Sequence, residues 1–299
     1  MVKFTNHQLE AMSKPASSTE ESKLENAQKA VNNALSKNSV LSTDIEVFGQ
    51  GSYANNTNIR NNSDIDINVC YTGAFYFDIP SGTSREQYGI YPVNDYSYQQ
   101  FKNDVEQILV EHFGRSNVIR KNKCIHIKEN TYHAEIDVVP TWKYRRYKSN
   151  KNIYDEGVAL CADNALGKII NFPKQHKQNG IQKNYETSRR YKRLVRIIKN
   201  LHIRMEEYGY YRNDHITSFL LECLVYNLPN DRYQLDRYCD WNSILRDCIC
   251  YFWNITKTEN RDWENLAEVS ELLPLMRGHK WTTHDVNEFM LNLFNYLEY

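Results

Sequence analysis

The stretch Ser63-Asp64-Ile65-Asp66-Ile67-Asn68-Val69 constrains the chain more than any other. Successive side chains of a strand point to opposite faces, so Ile65, Ile67 and Val69 share one face and Asp64, Asp66 and Asn68 the other. Such a strand, expected over residues 63–71, must bury one side while holding carboxylates on the other. Residues two apart on a strand lie about 7 Å apart along it, so Asp64 and Asp66 leave the same face as neighbours. Residues 132–139 repeat the pattern, with Ala134, Ile136 and Val138 on one side and Glu135 and Asp137 on the other. Pro140 is expected to end that strand, because proline cannot donate to a ladder. If the two strands are neighbours, Asp64, Asp66 and Asp137 converge. Like charges that close need a cation between them. Hard divalent ions with oxygen ligands suit that role, and Mg²⁺ leaves places for phosphate oxygens and water. Two such ions can assist the attacking and the leaving oxygen of an in-line phosphoryl displacement.

The remaining pattern sets the fold class. Leu24, Ala27, Val31, Ala34 and Leu35 form a helical stripe over 22–37, and Ile45 and Val47 alternate over 44–48 as a half-buried strand. Gly49-Gln50-Gly51-Ser52 reads as a tight turn, followed by a short helical segment at 54–61. Residues 72–97, rich in Tyr, Gly, Ser and Pro, read as a long loop. A helix is expected at 101–113 and a strand at 118–128. Beyond Trp142 the pattern becomes helical, with helices at 189–205, 216–226, 241–256 and 283–297, the last capped by a Thr. Strands followed by helices predict an α+β chain: a lobe with a mixed sheet at 1–150 and a helical lobe at 151–299, the N-terminal helix packing across both.

Composition removes other classes. With 13% aromatic residues the chain has a core to build, and 11 Gly and 7 Pro in 299 residues exclude linker-like sequence. No apolar run is long enough for a membrane span, and residues 1–14 carry no signal-like apolar region, so a cytoplasmic protein without a membrane partner is expected. The 7 Cys are odd in number, scattered and without CxxC spacing, which reads as reduced thiols rather than a zinc site. The 37 basic and 37 acidic residues cancel, yet residues 168–204 carry 11 Lys and Arg against Glu186 alone. That stretch is either a solvated helix face or the place of a local anionic ligand. It is not the broad positive face of a duplex-DNA binder.

Gly51-Ser52 completes the candidate site, since a Gly-Ser turn after a strand offers backbone N–H groups and a hydroxyl to a triphosphate. Gly51-Ser52-Tyr53, Thr57, Ser63-Asp64-Ile65-Asp66-Ile67 and Glu135-Ile136-Asp137-Val138-Val139-Pro140 together resemble the signature of polymerase-β-type nucleotidyltransferases. More narrowly, Phe48-Gly49-Gln50-Gly51-Ser52-Tyr53 and the His133-to-Pro140 stretch resemble the bacterial cGAS/DncV-like nucleotidyltransferases (CD-NTases) of CBASS anti-phage systems. The resemblance runs from the first helix to the region of Ser218. It implies a polymerase-β-like lobe with a mixed sheet, a helical C-terminal lobe and an active site in the cleft between them. It implies that Gln50, Gly51 and Ser52 hold the donor triphosphate and that Asp64, Asp66 and Asp137 are catalytic metal ligands, Asp137 beside the attacking hydroxyl. Lys199 falls where relatives place a lysine against the triphosphate; a solvated helix lysine is the alternative. Ser218 falls at a second phosphate contact or a helix cap, and Phe219 at a base-stacking position or in the core. His176 and His202 receive no role.

The resemblance implies that a ribose hydroxyl of one nucleoside triphosphate attacks the α-phosphate of another, that pyrophosphate leaves, and that a second round closes a cyclic di- or trinucleotide. The implied cofactor is Mg²⁺, with Mn²⁺ as an alternative. The substrates are nucleoside triphosphates, ATP among them, and a downstream effector reads the product of a monomeric enzyme. No zinc-ligand spacing accompanies the motif, so no duplex-DNA requirement is expected. The C-terminus lacks a Gly/Ala tail, so no conjugation through it is expected. Alternatives are a nucleotidyltransferase that modifies an RNA end, a small molecule or a protein, and a catalytically silent nucleotide-binding sensor.

Overall fold

The computed structural model describes residues 2–15, 18–36, 41, 43–59, 65–92, 96–235, 238–257 and 259–299. Asp64, residues 37 and 63, and the side chain of Leu24 lie outside the described residues. Two compact units emerge: Ser17–Ala54 with Ser63–Pro173, the sheet unit, and Met1–Ala16 with Asn55–Asn62 and Lys174–Tyr299, the helical unit. The division therefore falls after Pro173 where the sequence suggested 150. The helical unit also takes the first residues and the short segment at 55–62.

Strands β1 (Ile45–Gly49), β2 (Ile65–Asp78), β3 (Val118–Arg120), β4 (Ile125–Ile127), β5 (Ile136–Tyr147), β6 (Tyr154–Leu160) and β7 (Ile169–Asn171) build one sheet among the described residues. Its order is β1-β2-β5-β4-β3, with β6 on the far half of β5 and β7 outside β6. The β2–β5 pair is parallel and the other pairs are antiparallel. The helices are α1 (Asn6–Met12), α2 (Ser18–Leu35), α3 (Gly51–Ala54), α4 (Tyr98–Phe113), α5 (Pro173–Glu186), α6 (Arg190–Glu207), α7 (Ser218–Asn227), α8 (Trp241–Ile255) and α9 (Thr283–Tyr296). Among the described residues no helix is long and apolar enough to cross a membrane, and the cysteines are free thiols.

One face of the sheet is buried. Ala27, Val31, Ala34 and Leu35 of α2 and Phe101, Val105, Ile108 and Leu109 of α4 share a core with Ile65, Ile67, Val69, Ile136 and Val138. Asp66 and Asp137, which alternate with these residues, therefore sit on the opposite face. The start of α4 is fixed by Ser97, whose hydroxyl accepts from the Gln100 N–H at 3.2 Å while the Gln100 side chain accepts from the Ser97 N–H at 2.7 Å.

Three expectations are corrected. First, β2 does not stop at Tyr71. A bulge between Tyr71 and Phe75 interrupts the register, after which Phe75, Tyr76, Phe77 and Asp78 pair with Lys143 to Arg146. The Thr-Gly-Ala of the bulge is locally turn-like, which hides a strand that β5 completes. Second, Pro140 does not end β5, which runs on to Tyr147. The Ile65 N–H bonds the Glu135 C=O at 2.9 Å, so residues 135, 137 and 139 face β2 and Pro140 faces the other way. On that side β4 pairs only as far as Val138 and β6 only from Trp142. The missing N–H thus falls where the strand changes partner, and the Pro140 C=O accepts from the Tyr98 hydroxyl at 2.9 Å. Third, the chain beyond Trp142 is strand up to Asn171, not helix. The short helix also comes early, at Gly51–Ala54; residues 55–59 are not helical, and residues 60 and 61 of the expected segment lie outside the described residues.

In the helical unit, Leu194, Ile198, Leu201 and Met205 of α6 pack with Leu220 and Leu224 of α7, Ile244 and Phe252 of α8, and Phe289 and Leu293 of α9. Caps stand one residue before those expected, at Thr282 for α9 and at Thr217, not Ser218, for α7. Arg196 and Lys199 of α6, in the stretch read as a solvated helix face or the place of an anionic ligand, are buried.

Candidate active site

Two carboxylates come together through the β2–β5 pairing. Asp66 and Asp137 are direct partners in the parallel register, on strands spaced about 4.8 Å apart. Beneath them the polar face is satisfied by a chain of hydrogen bonds. The Thr141 hydroxyl donates to Asn68 Oδ1 at 2.7 Å, and Asn68 Nδ2 donates to Gln50 Oε1 at 3.0 Å. Gln50 is thereby tied to the floor of the site, and its N–H donates to the Asp66 C=O at 2.9 Å.

Gly51 follows with φ +70°, and a Cβ built there would overlap the Asp66 carboxylate. Only glycine meets both demands, the left-handed backbone and the close approach. Ser52 stands next, in the short helix α3.

Asp137 is the better-described carboxylate. His126, its cross-strand partner on β4, places Nδ1 2.8 Å from Asp137 Oδ1, and Lys121 Nζ lies 3.1 Å from the same oxygen. Burial by itself would raise the Asp137 pKa. Hydrogen bonds from His126, Lys121 and Cys124, with the charge of Lys121, outweigh it and hold the group below the usual carboxylate range. Asp137 therefore stands as an ionised oxygen donor. Among the described residues no group of three His, Cys, Asp or Glu side chains is disposed to hold a metal, while Asp64 lies outside them. The donors that are described, two aligned carboxylates beside a glycine with no side chain to fill the space, fit a hard divalent cation. Lys121 and His126 escaped the sequence reading. The alternation Ile125-His126-Ile127 was the available signal, since it turns His126 to the polar face.

The helical unit holds the other candidates. Lys199 is 3% exposed, and its ammonium lies 3.1 Å from Glu222 Oε2 and 3.2 Å from the Thr57 C=O. Glu222, 4% exposed, also accepts from the Thr57 hydroxyl at 2.6 Å and meets His176 Nε2 at 2.9 Å. Arg196 is likewise turned inward, its Nη1 donating to the Asn56 C=O at 2.5 Å, while Lys168, Lys174, Lys177 and Arg189 of the basic stretch are exposed. Glu222 and His176 received no role from the sequence, because Glu222 meets its partners Thr57 and His176 only across long stretches of chain. Ser218 is exposed at the first turn of α7. Phe219 is half-buried, with ring centroids of His176, His279 and Trp281 at 6.0, 6.3 and 6.4 Å.

A mixed sheet with carboxylates aligned on neighbouring strands beside a Gly-Ser turn defines a polymerase-β-type nucleotidyltransferase. The model of the cGAS/DncV-like nucleotidyltransferase C-terminal helical domain matches residues 178–298. A cyclic dipyrimidine nucleotide synthase CdnE of Cecembia lonarensis is 52% identical over the whole of both chains. The CdnE cyclic dinucleotide synthase of Elizabethkingia meningoseptica, solved with GTP and Apcpp, superposes with TM-score 0.82 at 33% identity, covering 99% of this chain and 100% of that one. The CdnE c-UMP-AMP synthase of Rhodothermus marinus, solved with Apcpp and Upnpp, gives TM-score 0.85 at 26% identity, with 98% and 96% covered. The chain belongs to the cGAS/DncV-like nucleotidyltransferase family, whose enzymes join nucleoside triphosphates into cyclic di- or trinucleotides for anti-phage signalling.

Proposed function

We propose that this chain makes a cyclic dipyrimidine nucleotide in a divalent-metal-dependent reaction. The observation that carries the base preference is the 52% identity, over full length, to a synthase with that name. A second relative with the same name, from Legionella pneumophila, is 37% identical over 96% of this chain. ATP, expected from the sequence, is tested alongside UTP and CTP.

In this reading Asp64, Asp66 and Asp137 hold the metal, Mg²⁺ or Mn²⁺, which when bound supplies charge stabilisation to the reacting phosphate. Gln50 keeps the turn seated on β2, while Gly51 and Ser52 offer N–H groups and a hydroxyl to the donor triphosphate. Asp137, held ionised, orients the acceptor hydroxyl and takes up its proton. The hydroxyl oxygen forms a bond to the α-phosphorus, the bond to the bridging oxygen of the β-phosphate breaks, and pyrophosphate leaves. A second round closes the ring and releases a second pyrophosphate. Positioning supplies much of such a rate, because the reaction asks for little covalent chemistry from the protein. We assign Ser218 to a phosphate contact and Phe219 to base stacking. Lys199, whose ammonium is engaged by Glu222 and Thr57, we assign to holding the backbone at residues 56–57. The enzyme acts as a monomer without duplex DNA, and a separate effector reads its product.

The test is synthesis from the four α-labelled ribonucleoside triphosphates with Mg²⁺ or Mn²⁺, followed by phosphatase. A resistant product that needs only UTP and CTP, and vanishes in the Asp64→Ala, Asp66→Ala variant, is expected. A product that requires purines overturns the base assignment, and one that survives in the double variant overturns the metal ligands.

A further inference from the structure

The hairpin of β3 and β4 turns at residues 121–124, where the Lys121 N–H bonds the Cys124 C=O at 2.9 Å. One side of this turn faces Asp137. Lys121 Nζ lies 3.1 Å from Asp137 Oδ1, and the Cys124 thiol donates to the same carboxylate. The turn is gripped elsewhere at Asn122. The Asn122 C=O accepts from Lys102 Nζ of α4 at 2.8 Å and from the Asp163 N–H at 3.1 Å, and its side-chain oxygen accepts from the Asn164 N–H at 3.0 Å. Lys102 is fully buried, and its ammonium meets Asp163 Oδ1 at 2.9 Å. Arg120 holds both oxygens of Asp163, at 2.8 and 3.0 Å, and reaches Glu106 of α4 at 2.9 Å. All of these residues belong to the sheet unit.

A lysine is almost never buried completely unless it is paired. Desolvation offsets most of the attraction in such a pair, so Lys102 and Asp163 are a poor way to gain stability. What they provide is a fixed point: an ammonium set by its counter-charge and aimed at one backbone carbonyl of a short turn. We propose that Lys102 is a positioning residue for nucleotidyl transfer: by holding the Asn122 carbonyl it fixes the turn whose Lys121 and Cys124 hold Asp137. The inference rests on the transfer reading above. It adds to that reading a fully buried side chain, which has no surface to offer to nucleotide or metal. Asp163 and Arg120 serve it as counter-charge and brace. A carboxylate held in place before substrate arrives acts on the chemical step more than on affinity, so turnover depends on Lys102 and KM does not.

The experiment compares Lys102→Met, Asn122→Ala and Lys121→Met in the full chain, by steady-state synthesis, amide hydrogen exchange and urea unfolding. Lys102→Met removes the ammonium, keeps an unbranched apolar stem and leaves Asp163 paired with Arg120, so a urea midpoint near that of wild type is expected. In this variant kcat is expected to fall about tenfold with KM within about threefold, the lower end of what partners of a metal ligand contribute. Exchange over residues 119–126 is expected to quicken about tenfold while the β2–β5 ladder is unchanged. Asn122→Ala cuts only the bond from Asn164. It is expected to move kcat and exchange the same way by a smaller factor, and it tests the turn should Lys102→Met not fold. Lys102→Met combined with Lys121→Met is expected to cost less than the product of the two separate losses, because Lys102 acts through the turn that carries Lys121. Wild-type kcat in Lys102→Met, a combined loss equal to that product, or a loss of kcat with unchanged exchange over 119–126 would overturn the proposal. A wild-type chain inactive on every triphosphate would sink the transfer reading, while exchange still decided whether Lys102 fixes the turn.

Discussion

Single atoms decide much of the site. At Gly51 a methyl group meets the Asp66 carboxylate on a backbone already at φ +70°. Gly51→Ala is expected to abolish synthesis, a loss of about 100-fold or more, while destabilising the fold by only about 1–2 kcal/mol. Turnover and urea unfolding measured on one preparation separate the two effects. His126 holds Asp137 in place from the neighbouring strand at 2.8 Å. His126→Ala is expected to cost about 10–100-fold in turnover, the range typical of partners that orient a metal ligand. A variant with unchanged kcat and unchanged metal requirement would refute that role. Glu222 has a pH signature. Burial opposes its charge, but Lys199 and His176 outweigh burial and lower its pKa to about 2 from 4.5. A carboxyl with a depressed folded pKa contributes stability above its unfolded value and loses it as pH falls through the folded one. Denaturation midpoints at about pH 6, 4 and 3 should therefore fall more steeply in wild type than in Glu222→Gln. Parallel curves would remove Glu222 from the acid-sensitive set.

At the scale of elements, what matters is where a strand finds its partners. Pro140 sits in the middle of β5 because its backbone faces the interval between β4 and β6. Val139, one residue earlier, faces β2. Pro140→Ala should accordingly change stability by less than about 1 kcal/mol, whereas Val139→Pro, which removes a β2–β5 hydrogen bond, should cost about 3 kcal/mol or more. Comparable losses for both would mean that the side assignment is wrong. The same lesson applies to β2. Its second half pairs with β5 only after the bulge at Thr72 to Ala74, so a window confined to those residues sees turn formers and not a strand. Helix positions were more legible. The stripe Leu194, Ile198, Leu201, Met205 is buried as its spacing predicts, since a helix's period is written in consecutive residues.

For the whole molecule, ligand linkage gives the broadest test. A ligand that binds only the folded chain raises its unfolding temperature by mass action. A non-hydrolysable pyrimidine triphosphate with Mg²⁺ should raise the melting temperature clearly, while either alone should raise it less, and Asp64→Ala, Asp66→Ala should abolish the difference. Equal shifts with and without the metal would separate nucleotide binding from the carboxylates. The basic stretch at 168–204 is also a matter for this scale. Its charge run suggested an anion site or a solvated face, yet Arg196 and Lys199 bind backbone carbonyls and Glu222 inside the helical unit.

The sequence by itself determined what local periodicity can carry: which side of each strand is apolar, where the helical stripes lie, and that Asp66, soon after a Gly-Ser turn, and Asp137 each stand on a polar face. Those properties depend on residues a few positions apart. Only the tertiary structure decided that β2 lies beside β5 with Asp66 opposite Asp137, that a proline is tolerated within a strand, and that β6 and β7 extend the sheet. It also assigned His126 to Asp137 and Glu222 to Thr57. Each of these is a contact between residues far apart in sequence, set by which surfaces bury each other, and no local pattern of side chains records it.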